Sequence, residues 1–298
     1  MKQAVGRWRG ILAHYIDDSY LTGKHGPCPL CGGKDRYRFI DKNGKGTWIC
    51  STCTPESEDG MSLLMAITGK SFKDLAADLE GFLGTVKTET QKEKPDPRVK
   101  LNKIAKQTSE LTGTDPVSIY LLNRGIKITP SSVRHAELDY YHEGKSIGRY
   151  SVMVSRISTP GGKRVSFHLT YLRNGNKANV PSAKKIMPPY GTVKGAGVYL
   201  GRIASHMIIG EGIETTLAGM QMHNLSGIAA ISASGMEHLQ LPESVNEITI
   251  LADNDLSFTG QAAAYALAKR TIRNGKAARV IVPERAGTDY ADLLQGAA

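Results

Sequence analysis

Three carboxylates in this sequence stand where apolar runs end in turns. In His206-Met-Ile-Ile-Gly-Glu211-Gly212-Ile-Glu214, and again in Ile248-Thr-Ile-Leu-Ala-Asp253-Asn-Asp255, a short β-branched and aliphatic stretch ends abruptly in acid. That is the pattern of a buried parallel strand whose carboxyl end is exposed for chemistry, and ligand sites of open α/β sheets gather at such ends. Glu211, Asp253 and Asp255 brought to one edge repel one another unless a divalent cation neutralises them. An all-oxygen donor set favours magnesium or manganese. Any one of these acids could equally be a helix N-cap; two such sites in one chain favour the metal edge.

The four cysteines form two pairs, Cys28-Pro-Leu-Cys31 and Cys50-Ser-Thr-Cys53. In a reducing compartment such pairs argue for metal binding and against disulfides. Four thiolates in tetrahedral array make a closed structural zinc site, and a ribbon this small depends on the metal to fold, the alternatives being an iron–sulfur centre or unligated thiols. With four sulfurs the shell is complete, so His25 is not needed as a ligand. Between the pairs, Lys34, Arg36 and Arg38 interleave with Tyr37 and Phe39, and Trp48 follows. This is the mixture that stacks on single-stranded bases and neutralises phosphates. The competing reading makes Phe39 and Trp48 the ribbon's own small core.

The elements that must position these groups follow from periodicity. An apolar stripe at Trp8, Ile11, Leu12, Tyr15 and Ile16 predicts a short amphipathic helix. Residues 36–40 and 47–49 alternate as two strands about a turn at Lys42-Asn43-Gly44, and helical spacing covers 61–68 and 72–82. The polar, charged run that follows reads as a flexible linker. Beyond it, 101–111 and 117–123 look helical, and 140–172 alternates as strands around turns at Glu143-Gly144 and Pro160-Gly161-Gly162. Then strands at 207–210, 228–231, 248–252 and 278–282 alternate with helices at 214–222 and 259–274, which predicts a parallel sheet with helices on its faces.

A chain of 298 residues with ordinary apolar content has room for two or three domains. Its net charge of +10 is uneven, at +3 over 1–100, +11 over 101–205 and −4 over 206–298. A basic segment joined to an acidic strand-end cluster suits a protein that holds a polyanion near metal ions, the alternative being a solvated basic face. No apolar run reaches membrane-spanning length, and Lys2, Arg7 and Arg9 precede no apolar core. Neither a signal peptide nor an anchor is expected, and the expected location is cytoplasmic with no membrane partner.

In this order the features resemble the primases built on a Toprim domain, both bacterial replicative primases and the primase halves of phage and plasmid primase-helicases. Cys28-Pro-Leu-Cys-Gly-Gly is similar to the opening of their zinc ribbons. Val198-Tyr-Leu through Glu211-Gly-Ile-Glu-Thr-Thr-Leu-Ala218 is similar to the mobile-element branch. Thr114-Asp-Pro-Val-Ser-Ile-Tyr120-Leu-Leu-Asn-Arg124-Gly125-Ile126 resembles the helix before the catalytic core, and Phe167-His168-Leu-Thr170-Tyr-Leu with Lys177-Ala178 completes the pattern. The resemblance implies an α/β chain with a zinc-ribbon template-binding domain at 1–84 and a linker at 85–100. A basic subdomain at 101–205 and a Toprim parallel-sheet core at 206–298 would follow. It implies that Asp253 and Asp255 hold magnesium or manganese and that Glu211 shares a metal or acts as general base. Lys177, Lys184 and Lys185 become candidates for triphosphate or template contacts, with Arg124, Arg164 and His168 behind them.

The implied activity is DNA-directed synthesis of short RNA primers from ribonucleoside triphosphates on single-stranded DNA. One departure concerns the end of the core. The family commonly has Lys-Asp-x-Asn-Asp there, whereas this chain has Gly287-Thr288-Asp289-Tyr290-Ala291-Asp292; Asp289 or Asp292 could complete the metal site, or Asp289 could cap the helix that follows. No Gly-x-x-x-x-Gly-Lys-Ser/Thr occurs, since Thr68-Gly-Lys-Ser71 lacks the first glycine. A fused helicase is therefore not expected, and unwinding is assigned to a separate replicative helicase. The rival functions are a non-catalytic single-stranded-DNA-binding accessory that loads a helicase, and a Toprim nuclease or topoisomerase.

Overall fold

A computed structural model describes residues 2–55, 57–84, 86, 95–288 and 290–294. The chain divides into two compact units, Met1–Lys94 and Pro95–Ala298.

In the first unit, strands Gly26–Cys28, Gly32–Phe39, Trp48–Cys50 and Ser57–Glu58 pair in sequence order as an antiparallel meander. Register places Tyr37 opposite Cys50 and Phe39 opposite Trp48, so the pleat turns these four side chains to one face. That face packs on Trp8, Ile11, Leu12, Leu63, Leu64, Leu75 and Leu79 from helices Trp8–Leu12, Gly60–Thr68 and Phe72–Phe82. The last two helices start where Asp59 and Ser71 accept backbone N–H groups of Ser62 and Asp74. Gly60 leaves room for the Trp8 ring, which a Cβ there would meet at 2.5 Å. The first helix stops at Leu12, short of Ile16. Asp17 accepts the Ser19 N–H and starts a new turn, Asp18–Leu21, while Tyr15 and Ile16 still pack against the core.

Residues 85 and 87–94 of the expected linker lie outside the described residues. Its last four positions are helical, because Asp96 accepts the Arg98 N–H at 2.9 Å and Pro97 suits a first turn, which starts the helix Pro97–Lys106.

In the second unit, strands Val133–His142, Lys145–Ser158 and Arg164–Arg173 form an antiparallel meander. The turn between the first two lies at Glu143 and Gly144, both with positive φ. Strand Gly197–Leu200 is antiparallel both to Lys145–Ser158 and to Gly227–Ala229, and it carries the meander into four parallel strands ordered Ala277–Ile281, Glu247–Leu251, His206–Gly210, Gly227–Ala229. One sheet, ten strands among the described residues, thus runs through the expected boundary at 205/206.

Helices cover both faces of that sheet. Pro116–Asn123, Ile213–His223 and Tyr290–Leu294 share a core with Val198, Ile208 and Leu251, whereas Thr259–Arg273 and Ala233–His238 pack on Met207, Ile209, Ile248 and Ile250. The first two turns of Ile213–His223 are wholly buried. They approach the sheet at Gly219, where a Cβ would sit 2.1 Å from Leu251 Cδ1. No helix among the described residues is long and apolar enough to cross a membrane.

Candidate active site

The four cysteines meet at the end of the first sheet, their ligand atoms all within 4.8 Å of one another. Cys28 lies 3.6 Å from Cys53 and Cys31 3.6 Å from Cys50, sulfur to sulfur. Burial pushes the Cys28 thiol up, and burial with crowding by Cys31 and Cys50 does the same to Cys53. For Cys50 burial is outweighed by the N–H groups of Thr52 and Cys53, and its thiol lies at about 7. Four free cysteines so placed fit a tetrahedral zinc ion. His25 stands by Asp35, at 3.9 Å.

In the second unit, Glu211 and the Asp253–Asp255 turn follow adjacent parallel strands, His206–Gly210 and Glu247–Leu251, whose ends are in register at Gly210 and Leu251. The Glu211 carbonyl accepts the N–H of Ile231, a β-branched residue held at φ 76°, a strained conformation for that residue type. Burial, and then the charge of Asp255, push the Glu211 carboxyl above its ordinary range, with Lys184 and the Ala233 N–H pulling back. Asp255 is held below its ordinary range by the Ser257 hydroxyl and the Gly260 N–H. Its oxygens accept from Thr259 N at 3.3 Å and Gly260 N at 2.9 Å, so it also caps the helix Thr259–Arg273. Among the described residues only the cysteines gather three or more such ligands tightly; the three acids share an edge without closing to that degree. Between the two aspartates, Asn254 donates to the Pro283 carbonyl at 2.8 Å, and its backbone bonds Thr288 and Gly287. It fixes the turn to the loop after the neighbouring strand.

Beside this edge lies a residue that the strand-end pattern did not single out. Glu214, 3% exposed, accepts from the Tyr120 hydroxyl at 2.7 Å and pairs with Lys177 at 3.3 Å and Lys184 at 3.4 Å. Burial pushes its carboxyl up, but the Lys184 and Lys177 ammoniums and the Tyr120 hydroxyl outweigh it and hold it at about 2. A charge buried this deeply needs such partners. His168, 6% exposed, lies in the same field; burial, with Lys184 adding, lowers its imidazole to about 4, so it is neutral at pH 7. Lys184 therefore acts on both Glu211 and Glu214, and it links the acidic edge to the basic segment.

Residues 206–298 match the Toprim domain family, and residues 23–61 match the zinc-binding domain of primase-helicase. The chain carries a Toprim domain and a primase-type zinc ribbon. Between them, residues 96–200 match a domain of unknown function, DUF7146. Solved structures similar to this chain include the Aquifex aeolicus primase (zinc binding and RNA polymerase domains), 15% identical, with 97% of this chain and 80% of that chain covered and a TM-score of 0.45. Another is the primase fragment of the bacteriophage T7 primase-helicase protein, 15% identical, with 92% and 95% covered and a TM-score of 0.40.

The remaining candidates divide between places. Within the zinc ribbon, Lys34 is exposed and Arg36 and Arg38 are half-buried, on the face away from the core. Trp48 is 2% exposed, lies 6.1 Å from the Tyr37 ring and donates its indole N–H to the Asp59 carbonyl. It is a core residue rather than a platform for bases, because its register with Phe39 points it inward. Beside the Toprim domain, Lys184 and Lys185 alternate to opposite faces, as neighbours on a strand must. Lys185 donates to the Tyr141 carbonyl at 2.6 Å and stands 3.5 Å over the Tyr140 ring, so it leaves the Glu214 group. Arg124 pairs with Asp292 at 3.4 Å; the two tie helix Tyr290–Leu294 to the end of helix Pro116–Asn123. Asp289 lies outside the described residues. Arg164 bonds Asn102 and covers the Phe167 ring at 5.3 Å. Phe167 projects to the face opposite His168.

Proposed function

We propose that this chain is a DNA primase, a DNA-directed RNA polymerase that makes short primers on single-stranded DNA from ribonucleoside triphosphates. The observation that carries this reading is Lys184, which pairs with buried Glu214 at 3.4 Å and whose charge acts on Glu211 at the strand-end edge of the Toprim domain. It sets a fixed positive group beside an acidic edge, the combination that nucleotidyl transfer needs. The primase-type zinc ribbon supports the same reading. We assign template binding to 1–84, nucleotide and template contacts to 101–205 and chemistry to 206–298.

The donor set at the edge is all oxygen, and two of its acids raise each other's energy, which suits magnesium or manganese. Glu211, Asp253 and Asp255 would hold it; the Ser257, Thr259 and Gly260 bonds leave a lone pair on Asp255. When bound, the ion would neutralise phosphate oxygens and ease loss of the 3′-hydroxyl proton. Lys184 and Lys177, braced by Glu214, hold the triphosphate. The 3′-oxygen then attacks the α-phosphorus, pyrophosphate leaves, and Glu211, where it is not itself a ligand, accepts the proton. A helicase that delivers single-stranded template is the partner this reading calls for.

A second reading, a non-catalytic single-stranded-DNA-binding and helicase-loading accessory, draws on Asp255, which is already engaged as a helix cap. Incubation with single-stranded DNA, labelled ribonucleotides and magnesium, beside Asp253→Ala, separates the two. The primase makes labelled oligomers and the variant none. Absence of oligomers across varied templates while DNA binding persists supports the accessory.

A further inference from the structure

We propose that the face of the antiparallel meander opposite Glu214 holds a single strand of nucleic acid in an arginine-lined groove. The pleat defines this face. Arg134 pairs with Val154 and Arg156 with Phe167, whereas Ser155 pairs with His168 on the other side. Arg134, Arg156, Arg164 and Arg202 line a concavity of about 760 Å³ floored by Phe167 and Tyr199. A second concavity of about 380 Å³ shares Arg156 and Arg164 with it and continues to Lys163, Arg98 and Tyr190.

Three observations point to a ligand. No carboxylate lines either concavity; Asp96 and Glu110 pair with Arg98 and Arg134 only, while Arg156 and Arg202 are exposed without a partner among the described residues. Three hydroxyls lining the larger concavity, Ser132 Oγ, Ser158 Oγ and Tyr199 Oη, are buried without a hydrogen-bond partner, a condition native proteins rarely leave unanswered. Finally, rings and cations alternate along the groove. Arg164 lies 5.3 Å from the Phe167 ring, and Arg98 and Lys163 lie 4.6 and 5.4 Å from the Tyr190 ring. Guanidinium groups on neighbouring strands with aromatic faces between them match a phosphate backbone with splayed bases. The run crosses three adjacent strands and reaches helix Pro97–Lys106, which suits an extended strand better than one compact triphosphate. None of these residues belongs to the Glu211 edge, so the groove stands whether or not that edge joins nucleotides.

The test uses the full chain and fluorescein-labelled single strands of about 20 nucleotides, DNA in one arm and RNA in the other, with affinity read by anisotropy across a salt series. Arg156→Ser with Arg202→Ser is expected to weaken binding about tenfold near 0.15 M salt and to lower the salt slope by about 2, whereas the paired Lys substitutions keep the slope. The arm that responds names the strand. The proposal is overturned if affinity and slope are unchanged in both arms, or if inorganic tripolyphosphate displaces the strand stoichiometrically and loses its own binding in the Ser variant, which marks a small-anion site. A chain that makes no primer yet shows the expected loss sinks the primase reading and leaves the groove intact.

Discussion

Replacing Glu214 by Gln keeps the shape and the Tyr120 contact but removes the buried charge between Lys177 and Lys184. Glu214 is held at about 2, against 4.5 for an unperturbed carboxyl. Every tenfold gain in acidity corresponds to about 1.4 kcal/mol, so its ionisation is linked to roughly 3 kcal/mol of stability. The lysine side chains are 38% and 42% exposed and stay solvated in the variant, which lowers the expected loss to about 2 kcal/mol. For a unit of this size that is a fall in Tm of roughly 4–8 °C at pH 7. The sign follows from a depressed folded pKa. The stabilisation is complete above the unfolded value of 4.5 and is lost as pH falls through about 2. Urea unfolding of both proteins at several pH values should show a constant gap from neutral pH to about 5 that narrows between about 4.5 and about 2. A gap that is absent at pH 7, or that widens as the solution is acidified, would refute the buried ion cluster.

Trp48→Ala should destabilise the zinc ribbon by about 3–5 kcal/mol, seen as loss of its unfolding transition, because a buried indole leaves a cavity; exchange of Arg38 for Ala should leave that transition in place. Cys31→Ser should bring zinc content below one per chain on metal analysis, and a chelator should unfold the first unit of the native protein by circular dichroism. Lys184→Met should raise the KM for ribonucleoside triphosphates, whereas Lys185→Met should leave KM unchanged and lower stability by about 0.5–2 kcal/mol through loss of its place over Tyr140.

The strand-end acids were legible because an apolar run closed by acid has a local meaning in a parallel sheet, and both runs formed where periodicity put them. The cysteine quartet was equally local. Glu214 was not, since its partners Lys177, Lys184 and Tyr120 come from two short strands and another helix, and nothing near it in sequence announces that the first two turns of its helix are buried on all sides. The opposite faces of Lys184 and Lys185 follow from strand alternation, which composition alone obscures. Trp48 stood between two readings for the same reason, because its side of the hairpin depends on register with Phe39. The antiparallel strand Gly197–Leu200 carries no sequence mark of its direction, so the continuity of the sheet across residue 205 appeared only in three dimensions. Arg124 and Asp292 meet across most of the second unit's length, a pairing no spacing rule contains.

The measurement that bears most directly on the proposed chemistry is extension of a dinucleotide by one labelled ribonucleotide on single-stranded DNA as magnesium is raised, in the native chain and in Glu211→Gln and Asp253→Asn. If these acids carry the chemistry, the native chain shows saturable, magnesium-dependent extension, and both variants lose about a thousandfold or more with template binding unchanged. Extension that survives in both variants, or a native chain that binds template yet extends nothing at any magnesium concentration, would contradict that chemistry.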